Sequence, residues 1–89
     1  MVESEVEIIN RLGLHARAAA KVVQTATAFQ SKVLLNKDGE SVDAKSILGI
    51  LLLAAGQGSR LTVRCEGSDE APALAAVLEL VADRFGEDS

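Results

Sequence analysis

Polar and apolar residues alternate in two segments, one at the start of the chain and one from Leu61 to Cys65. From Val2 to Ile8 the even-numbered positions are mostly apolar, and the odd-numbered positions between them are all glutamate. Leu61, Val63 and Cys65 are likewise separated by polar residues. A period of two is that of a β-strand with one face in the core and the other in solvent. The pattern predicts the first and last strands of an antiparallel sheet with one solvated face.

Apolar residues recur at helical spacing in two other segments. Ala19, Val22 and Ala26 predict a first helix from about residue 16 to 28. A last helix is expected to begin with Ser68 or Asp69 as its N-cap. The apolar face of this last helix consists of Leu74, Val77, Leu78, Val81 and Phe85.

Between these two helices the sequence favours a β-hairpin. Val33 and Leu35 begin a second strand, and Val42 lies on the strand that returns. The turn Lys37-Asp38-Gly39-Glu40 suits a two-residue connection, because glycine readily adopts the positive φ that such turns require.

A short helix is predicted from Lys45-Ser46 through Leu53, followed by the loop Gly56-Gln57-Gly58. Its apolar residues occupy the whole circumference, although one face suffices to cover a sheet. We therefore expect part of this helix to form an exposed docking patch; alternatively, the last helix and a loop cover it. The residues expected in the patch are Ile47, Leu48 and Leu51.

The predicted order of elements is strand, helix, strand, strand, helix, strand, helix (βαββαβα). Strands with one wet face require the helices to gather on the other face. The sequence therefore predicts an α+β open-faced sandwich, a four-stranded antiparallel sheet with three helices on one face. No linker or repeat interrupts it, so residues 1–89 are expected to form a single domain.

Composition narrows the classes of function. Aromatic residues make up 2% of the chain and the formal net charge is -4, so nucleic acid is not an expected partner. With one cysteine and one histidine, the chain has no intrachain disulfide and no cluster for a metal, and no cofactor is expected. No export leader or apolar run of about 18 residues is found. We expect a cytoplasmic monomer without membrane insertion.

The one histidine, His15, lies where a turn meets the first helix. A helix start offers backbone amides without intrahelical partners and the positive end of the dipole, so a phosphoryl group on this ring would be held there. Arg17 adds a planar cation suited to phosphate oxygens, and Gly13 permits the sharp turn before the ring. The alternative is an exposed capping or surface histidine without a chemical role.

Charge is distributed unevenly along the chain. No acidic residue lies between Glu7 and Asp38, and the last third of the chain is acidic. The basic residues of the acid-free stretch are Arg11, Arg17, Lys21, Lys32 and Lys37. We expect this basic side to attract an acidic protein surface or a phosphate toward His15.

Two segments resemble the HPr family, the histidine phosphocarriers of the bacterial phosphoenolpyruvate-dependent sugar phosphotransferase system. They are Leu12-Gly13-Leu14-His15-Ala16-Arg17, and Lys45-Ser46-Ile47-Leu48-Gly49 with the downstream Gly56-Gln57-Gly58 turn. The resemblance covers essentially the whole chain. It implies that Enzyme I, charged by phosphoenolpyruvate, passes a phosphoryl group to the delta nitrogen of His15, which passes it to an enzyme IIA domain.

Physical reasoning and the resemblance together give roles for neighbouring residues. The backbone amides of Ala16 and Arg17, with the Arg17 guanidinium, would hold the phosphoryl oxygens. HPr proteins usually have proline after this arginine, whereas Ala18 has an amide that either adds a donor or meets only water. In part of the family an ATP-dependent HPr kinase phosphorylates the serine that matches Ser46, whose plain role is helix capping.

Three functions fit these residues: a sugar-system phosphocarrier, an HPr-like protein of a nitrogen-related or purely regulatory relay, and a non-catalytic binding module in which His15 is incidental. A stand-alone enzyme is not expected. No spacing places a second general acid or base beside His15, and a 9.3 kDa chain offers little cleft. We expect the partner proteins to supply the pocket.

Overall fold

The computed structural model describes residues 1–89, and its elements follow the predicted order βαββαβα. The strands are β1 (Val2–Glu7), β2 (Lys32–Lys37), β3 (Glu40–Asp43) and β4 (Arg60–Glu66). The helices are α1 (Ala16–Thr27), α2 (Ile47–Leu52) and α3 (Glu70–Ala82). A single 3-10 turn, Arg84–Gly86, follows α3.

The four strands are antiparallel and lie in the order β1-β4-β2-β3. The last strand is therefore internal to the sheet and pairs with both β1 and β2. Val2 lies opposite Cys65 and Val6 opposite Leu61, so the apolar positions of the two alternating segments share one face. On the solvated face Nη1 of Arg60 pairs with a carboxylate oxygen of β1 at 2.9 Å. The predicted one-sided sheet is confirmed.

The turn between β2 and β3 has the predicted two-residue form. Asp38 and Gly39 both have positive φ, 52° and 86°, and Lys37 pairs with Glu40 on either side of them. Two successive positive φ angles match the right-handed twist of the flanking strands.

One hydrophobic core fills the space between the sheet and the helices. Nineteen buried apolar residues form it, and β2 and β4 contribute five of them from alternating positions. Helix α1 packs against both α2 and α3. Because the helices cover only one face of the sheet, the other face stays open to solvent, as predicted.

The end of α3 differs from the prediction, because Phe85 does not lie on that helix. The helix ends at Ala82, and the backbone of Arg84 and Phe85 adopts positive φ, 54° and 55°. The Phe85 side chain is nonetheless fully buried. Burying a phenylalanine stabilises the fold by about 1.5–3 kcal/mol, which offsets much of the roughly 2–4 kcal/mol that a left-handed backbone costs at these two residues.

Candidate functional site

His15 is the N-cap of α1, with an extended backbone (φ -74°, ψ 177°) and a side chain 29% exposed. The turn before it contacts the loop after α2: the Leu14 amide donates to the Ala55 carbonyl oxygen at 2.9 Å. At Gly13 the φ angle is +66°, and a Cβ there would lie 2.6 Å from that same carbonyl oxygen. Only glycine fits there. The same Cβ would lie 2.8 Å from Cα of Gly56, which belongs to the second segment that resembles HPr, so the two segments also meet in space.

The first turn of α1 presents unpaired backbone donors. The amides of Ala16, Arg17 and Ala18 donate to no protein acceptor, whereas the Ala19 amide donates to the His15 carbonyl oxygen at 2.8 Å. No acidic residue lies in this first turn. Unpaired amides at the positive end of a helix form a site for an anion.

The residues of this first turn differ in their exposure. Ala16 and Arg17 are exposed, and Arg17 forms no ion pair within the chain. Ala18 is fully buried. An incoming phosphoryl group would therefore meet the amides of Ala16 and Arg17 before that of Ala18.

Glu87 is the site residue that the sequence analysis missed. Its Oε2 lies 2.5 Å from Nε2 of His15, and its Oε1 accepts a hydrogen bond from Nδ2 of Asn10 at 2.9 Å. A carboxylate therefore lies beside His15, although no spacing in the sequence places one there. Sequence spacing could not indicate this contact, because 72 positions separate the two residues.

The pKa of the Glu87 carboxyl lies below its usual value, first because of the hydrogen bond with His15 and next because of the one from Asn10. At neutral pH this carboxylate is ionised and can only accept. The contact with His15 therefore requires a proton on Nε2. In a neutral imidazole the lone pair is then on Nδ1.

The surface of α2 is apolar and exposed, as expected of a patch that no other element covers. Ile47 is 42% exposed, Leu48 69%, Leu51 37% and Leu52 68%. We call these four residues the α2 patch; Leu52 was not among the residues predicted for it. Leu12, in the turn before His15, is also 60% exposed. Only Ile50 of this helix is buried.

Ser46 begins the second helix and caps it. Its Oγ accepts a hydrogen bond from the Gly49 amide at 3.1 Å, which confirms the predicted capping role. No hydrogen bond or ion pair joins Ser46 to His15; each residue lies at the start of its own helix.

Two further features bear on the class of protein. No group of three or more histidine, cysteine, aspartate or glutamate side chains is arranged to hold a metal ion. None of the helices has the length and apolar character needed to cross a membrane.

Comparison with known proteins agrees with this fold over the whole chain. Residues 2–83 match the family model of the PTS HPr component phosphorylation site. The chain is 52% identical over 87 residues to the phosphocarrier protein HPr of Cupriavidus necator, and the match covers 98% of each chain.

Solved structures show the same likeness. The crystal structure of HPr-C-His from Thermoanaerobacter tengcongensis matches with a TM-score of 0.97 and 45% identity, covering 100% of both chains. A crystal structure of an HPr dimer from the same organism matches with a TM-score of 0.79 and 46% identity, covering 98% of this chain and 100% of that one. Fold and site together define a histidine phosphocarrier. The chain belongs to the HPr family, the phosphocarriers of the PTS.

Proposed function

We propose that residues 1–89 act as one phosphocarrier domain, which accepts a phosphoryl group from phosphorylated Enzyme I on Nδ1 of His15. The domain then passes the group to enzyme IIA domains, for sugar uptake and its regulation. The observation that carries this proposal is the position of His15 as N-cap of α1, next to three amides without a protein acceptor. The bacterial cytoplasm remains the predicted compartment.

The first turn of α1 supplies what a transferred phosphoryl group needs. The exposed amides of Ala16 and Arg17 would bind its oxygens, and the Arg17 guanidinium would neutralise part of its charge. A carrier must also release the group to its next partner, so this binding has to stay modest. The donors are exposed to water, and its high dielectric constant weakens their interaction with the phosphoryl group, which suits that requirement. No cofactor enters this scheme.

The surroundings of His15 support a carrier that acts with its partners and is not a stand-alone enzyme. His15 lies at the surface, at the start of α1, with its side chain 29% exposed. The partner proteins would supply the enclosing pocket, and the α2 patch would dock against them.

The proposal is tested with purified Enzyme I and phosphoenolpyruvate, following phosphate incorporation by intact mass. We expect one acid-labile phosphate on the wild-type chain and none on His15→Ala. No transfer to the wild-type chain, with Enzyme I shown to act on another carrier, would contradict the proposal. A His15→Ala variant that keeps its cellular function would favour a binding module instead.

Regulation at Ser46 is a second part of the proposal. A phosphate on Ser46 would lie beside the α2 patch and would place about two negative charges next to it, which would weaken docking by an apolar surface. Incubation with an HPr kinase and ATP, followed by peptide mass spectrometry, tests this. A chain without phosphate on Ser46 would leave that residue only its capping role.

We further propose that the carrier is monomeric, and that the Ala18 amide either adds a donor to the phosphate site or meets only water. Sedimentation equilibrium at several concentrations tests the first point against the dimer known for a related HPr. The second is tested by Ala18→Pro, because proline removes the amide. A changed phosphohistidine lifetime or transfer rate in this variant would assign the Ala18 amide to phosphate binding.

A further inference from the structure

The segment after α3 returns to the turn before α1 and is fixed there at two points. Phe85 is fully buried, and its carbonyl oxygen accepts a hydrogen bond from Nζ of Lys21 at 2.5 Å. The carbonyl oxygen of Ser89 accepts one from the Arg11 amide at 3.1 Å. Glu87 lies between these two anchors, and its side chain is only 16% exposed. The backbone is therefore fixed on both sides of Glu87.

Both oxygens of the Glu87 carboxylate face donors of the turn. Oε2 lies 2.5 Å from Nε2 of His15, and Oε1 accepts from Nδ2 of Asn10 at 2.9 Å. Asn10 is fully buried, and its Nδ2 also donates to the Gly13 carbonyl oxygen at 2.9 Å. The side chain that shapes the turn thus also orients the carboxylate toward the histidine.

We propose that Glu87 is a positioning residue for phosphoryl transfer: its carboxylate retains the proton on Nε2 of His15, so that the lone pair stays on Nδ1. The inference rests on the function proposed above. The role differs from catalysis in the strict sense, because Glu87 acts only through the ring of His15 and touches no transferred atom.

Phosphoryl transfer to Nδ1 of His15 requires no movement of the proton on Nε2. The Nδ1 lone pair forms the new nitrogen–phosphorus bond while the bond from phosphorus to the donor atom breaks, and its electron pair returns to the donor. The phosphorylated ring, still protonated on Nε2, carries a positive charge that the Glu87 carboxylate offsets. In the onward step a nucleophile of the enzyme IIA domain forms a bond to phosphorus while the nitrogen–phosphorus bond breaks and its electron pair returns to Nδ1. The leaving group is then a neutral imidazole with its proton on Nε2.

Replacement of the carboxylate by an amide isolates this role. A glutamine at position 87 has one acceptor and one donor group, whereas the two groups it would face, on Asn10 and His15, both donate in the wild-type structure. If its oxygen accepts from Asn10, its NH₂ group faces Nε2 of His15 and favours the tautomer with the proton on Nδ1. That tautomer has no lone pair on the nitrogen that receives phosphorus.

The first experiment uses the unphosphorylated full chain and does not depend on any partner. Nitrogen-15 NMR of the His15 ring reports which nitrogen carries the proton in the wild type, Glu87→Gln and Asp88→Asn. Asp88 is the matched control, since it is adjacent, exposed and without a hydrogen bond or ion pair. We expect a slowly exchanging Nε2 proton in the wild type and in Asp88→Asn, and loss of that signal in Glu87→Gln.

The second experiment measures the single-turnover rate of phosphorylation by Enzyme I for the same three chains. We expect Glu87→Gln to be slower by roughly 10-fold and Asp88→Asn to match the wild type. An unchanged Nε2 signal or an unchanged rate in Glu87→Gln would overturn the positioning role, while transfer to the wild type would leave the proposed function intact. If Enzyme I that is active on another carrier does not phosphorylate the wild type, both the proposed function and the positioning role of Glu87 are contradicted. Equal thermal unfolding midpoints for the three chains exclude a purely structural effect.

Discussion

Asp69 shows how one carboxylate can fix two distant loops. Its oxygens accept from the backbone amides of Gln30 and Ser31, both at 2.9 Å, and from the Ser31 hydroxyl. Asp69 is at the N-cap position of α3, as predicted, but its side chain makes no capping hydrogen bond. The carboxylate instead connects the start of α3 to the loop between α1 and β2.

We predict that Asp69→Asn lowers the free energy of unfolding at neutral pH and that this deficit shrinks in acid. The hydroxyl of Ser31, followed by the amide of Gln30, holds the pKa of Asp69 below its usual value. Stability from such a group is present above the unfolded pKa and is lost as pH falls through the folded one. Urea unfolding from about pH 7 to about pH 2 measures the effect. A deficit independent of pH would contradict this account; Asp88→Asn is the control.

Gly13 is the second residue whose identity the structure requires. We predict that Gly13→Ala lowers the free energy of unfolding by about 2 kcal/mol or more, because left-handed strain of about 1–2 kcal/mol is added to a backbone collision. It should also slow phosphorylation of His15 by displacing the turn. Chemical unfolding and the Enzyme I assay measure the two effects.

The matched control for that substitution is Gly58→Ala. Gly58 also has positive φ, +89°, but a Cβ there would meet no atom within 4 Å. Only the strain term applies, so the loss of unfolding free energy should be about 1–2 kcal/mol. Equal losses at the two positions would show that the contact of Gly13 with the loop after α2 is unimportant.

At the scale of elements, α2 combines weak intrinsic stability with an exposed apolar surface. It has six residues, fewer than an isolated helix needs, so its stability comes from the Ser46 cap and from packing against α1 and β3. The same six residues expose the α2 patch to solvent. A change at the cap can therefore affect both the stability of the helix and the surface offered to a partner.

We predict that Ser46→Asp slows phosphorylation by Enzyme I several-fold relative to Ser46→Asn, with similar unfolding free energies for the two variants. Both side chains cap a helix well, but only aspartate adds negative charge beside the α2 patch. Ser46→Ala should cost about 1 kcal/mol through loss of the cap. Steady-state transfer assays and urea unfolding distinguish the effects. Equal rates for the aspartate and asparagine variants would argue against docking at this surface.

At the scale of the whole molecule, the fold divides the basic residues that lie together in the sequence. Arg17 is exposed next to His15, whereas Lys32 lies on β2 opposite Glu66, on the open side of the sheet. Lys21 is engaged by the Phe85 carbonyl oxygen. The predicted single basic side is therefore only in part a surface around His15, where Glu87 also contributes negative charge.

We predict that added salt slows phosphoryl transfer because it screens the charge of Arg17. The charge of Lys32 should not contribute to this effect. Raising ionic strength from about 0.05 to about 0.5 M shortens the Debye length about threefold and should lower the association rate with Enzyme I. Arg17→Gln should weaken this salt dependence, and Lys32→Gln should leave it unchanged. Stopped-flow or quench-flow rates over a salt series provide the measurement. Identical salt slopes in Arg17→Gln and the wild type would exclude steering by this residue.

Patterns within single segments were sufficient for much of the fold. Alternation in β1 and β4, helical spacing in α1, the Asp38-Gly39 turn and the apolar circumference of α2 each depend on neighbouring residues, and the structure confirms them. Phe85 was predicted on α3 because its spacing continues the helix, yet the backbone leaves the helix after Ala82. Burial of the ring, a tertiary effect, decided the local conformation.

The sequence by itself determined the order of elements, the wet and dry faces of the sheet and the position of His15 at the start of α1. These follow from short-range sterics, spacing and capping, which any chain segment carries with it. Only the tertiary structure decided that β4 lies between β1 and β2, and that the carboxylate of Glu87 meets Nε2 of His15. Contacts between residues 72 positions apart depend on the path of the whole chain through the core, which no local pattern specifies.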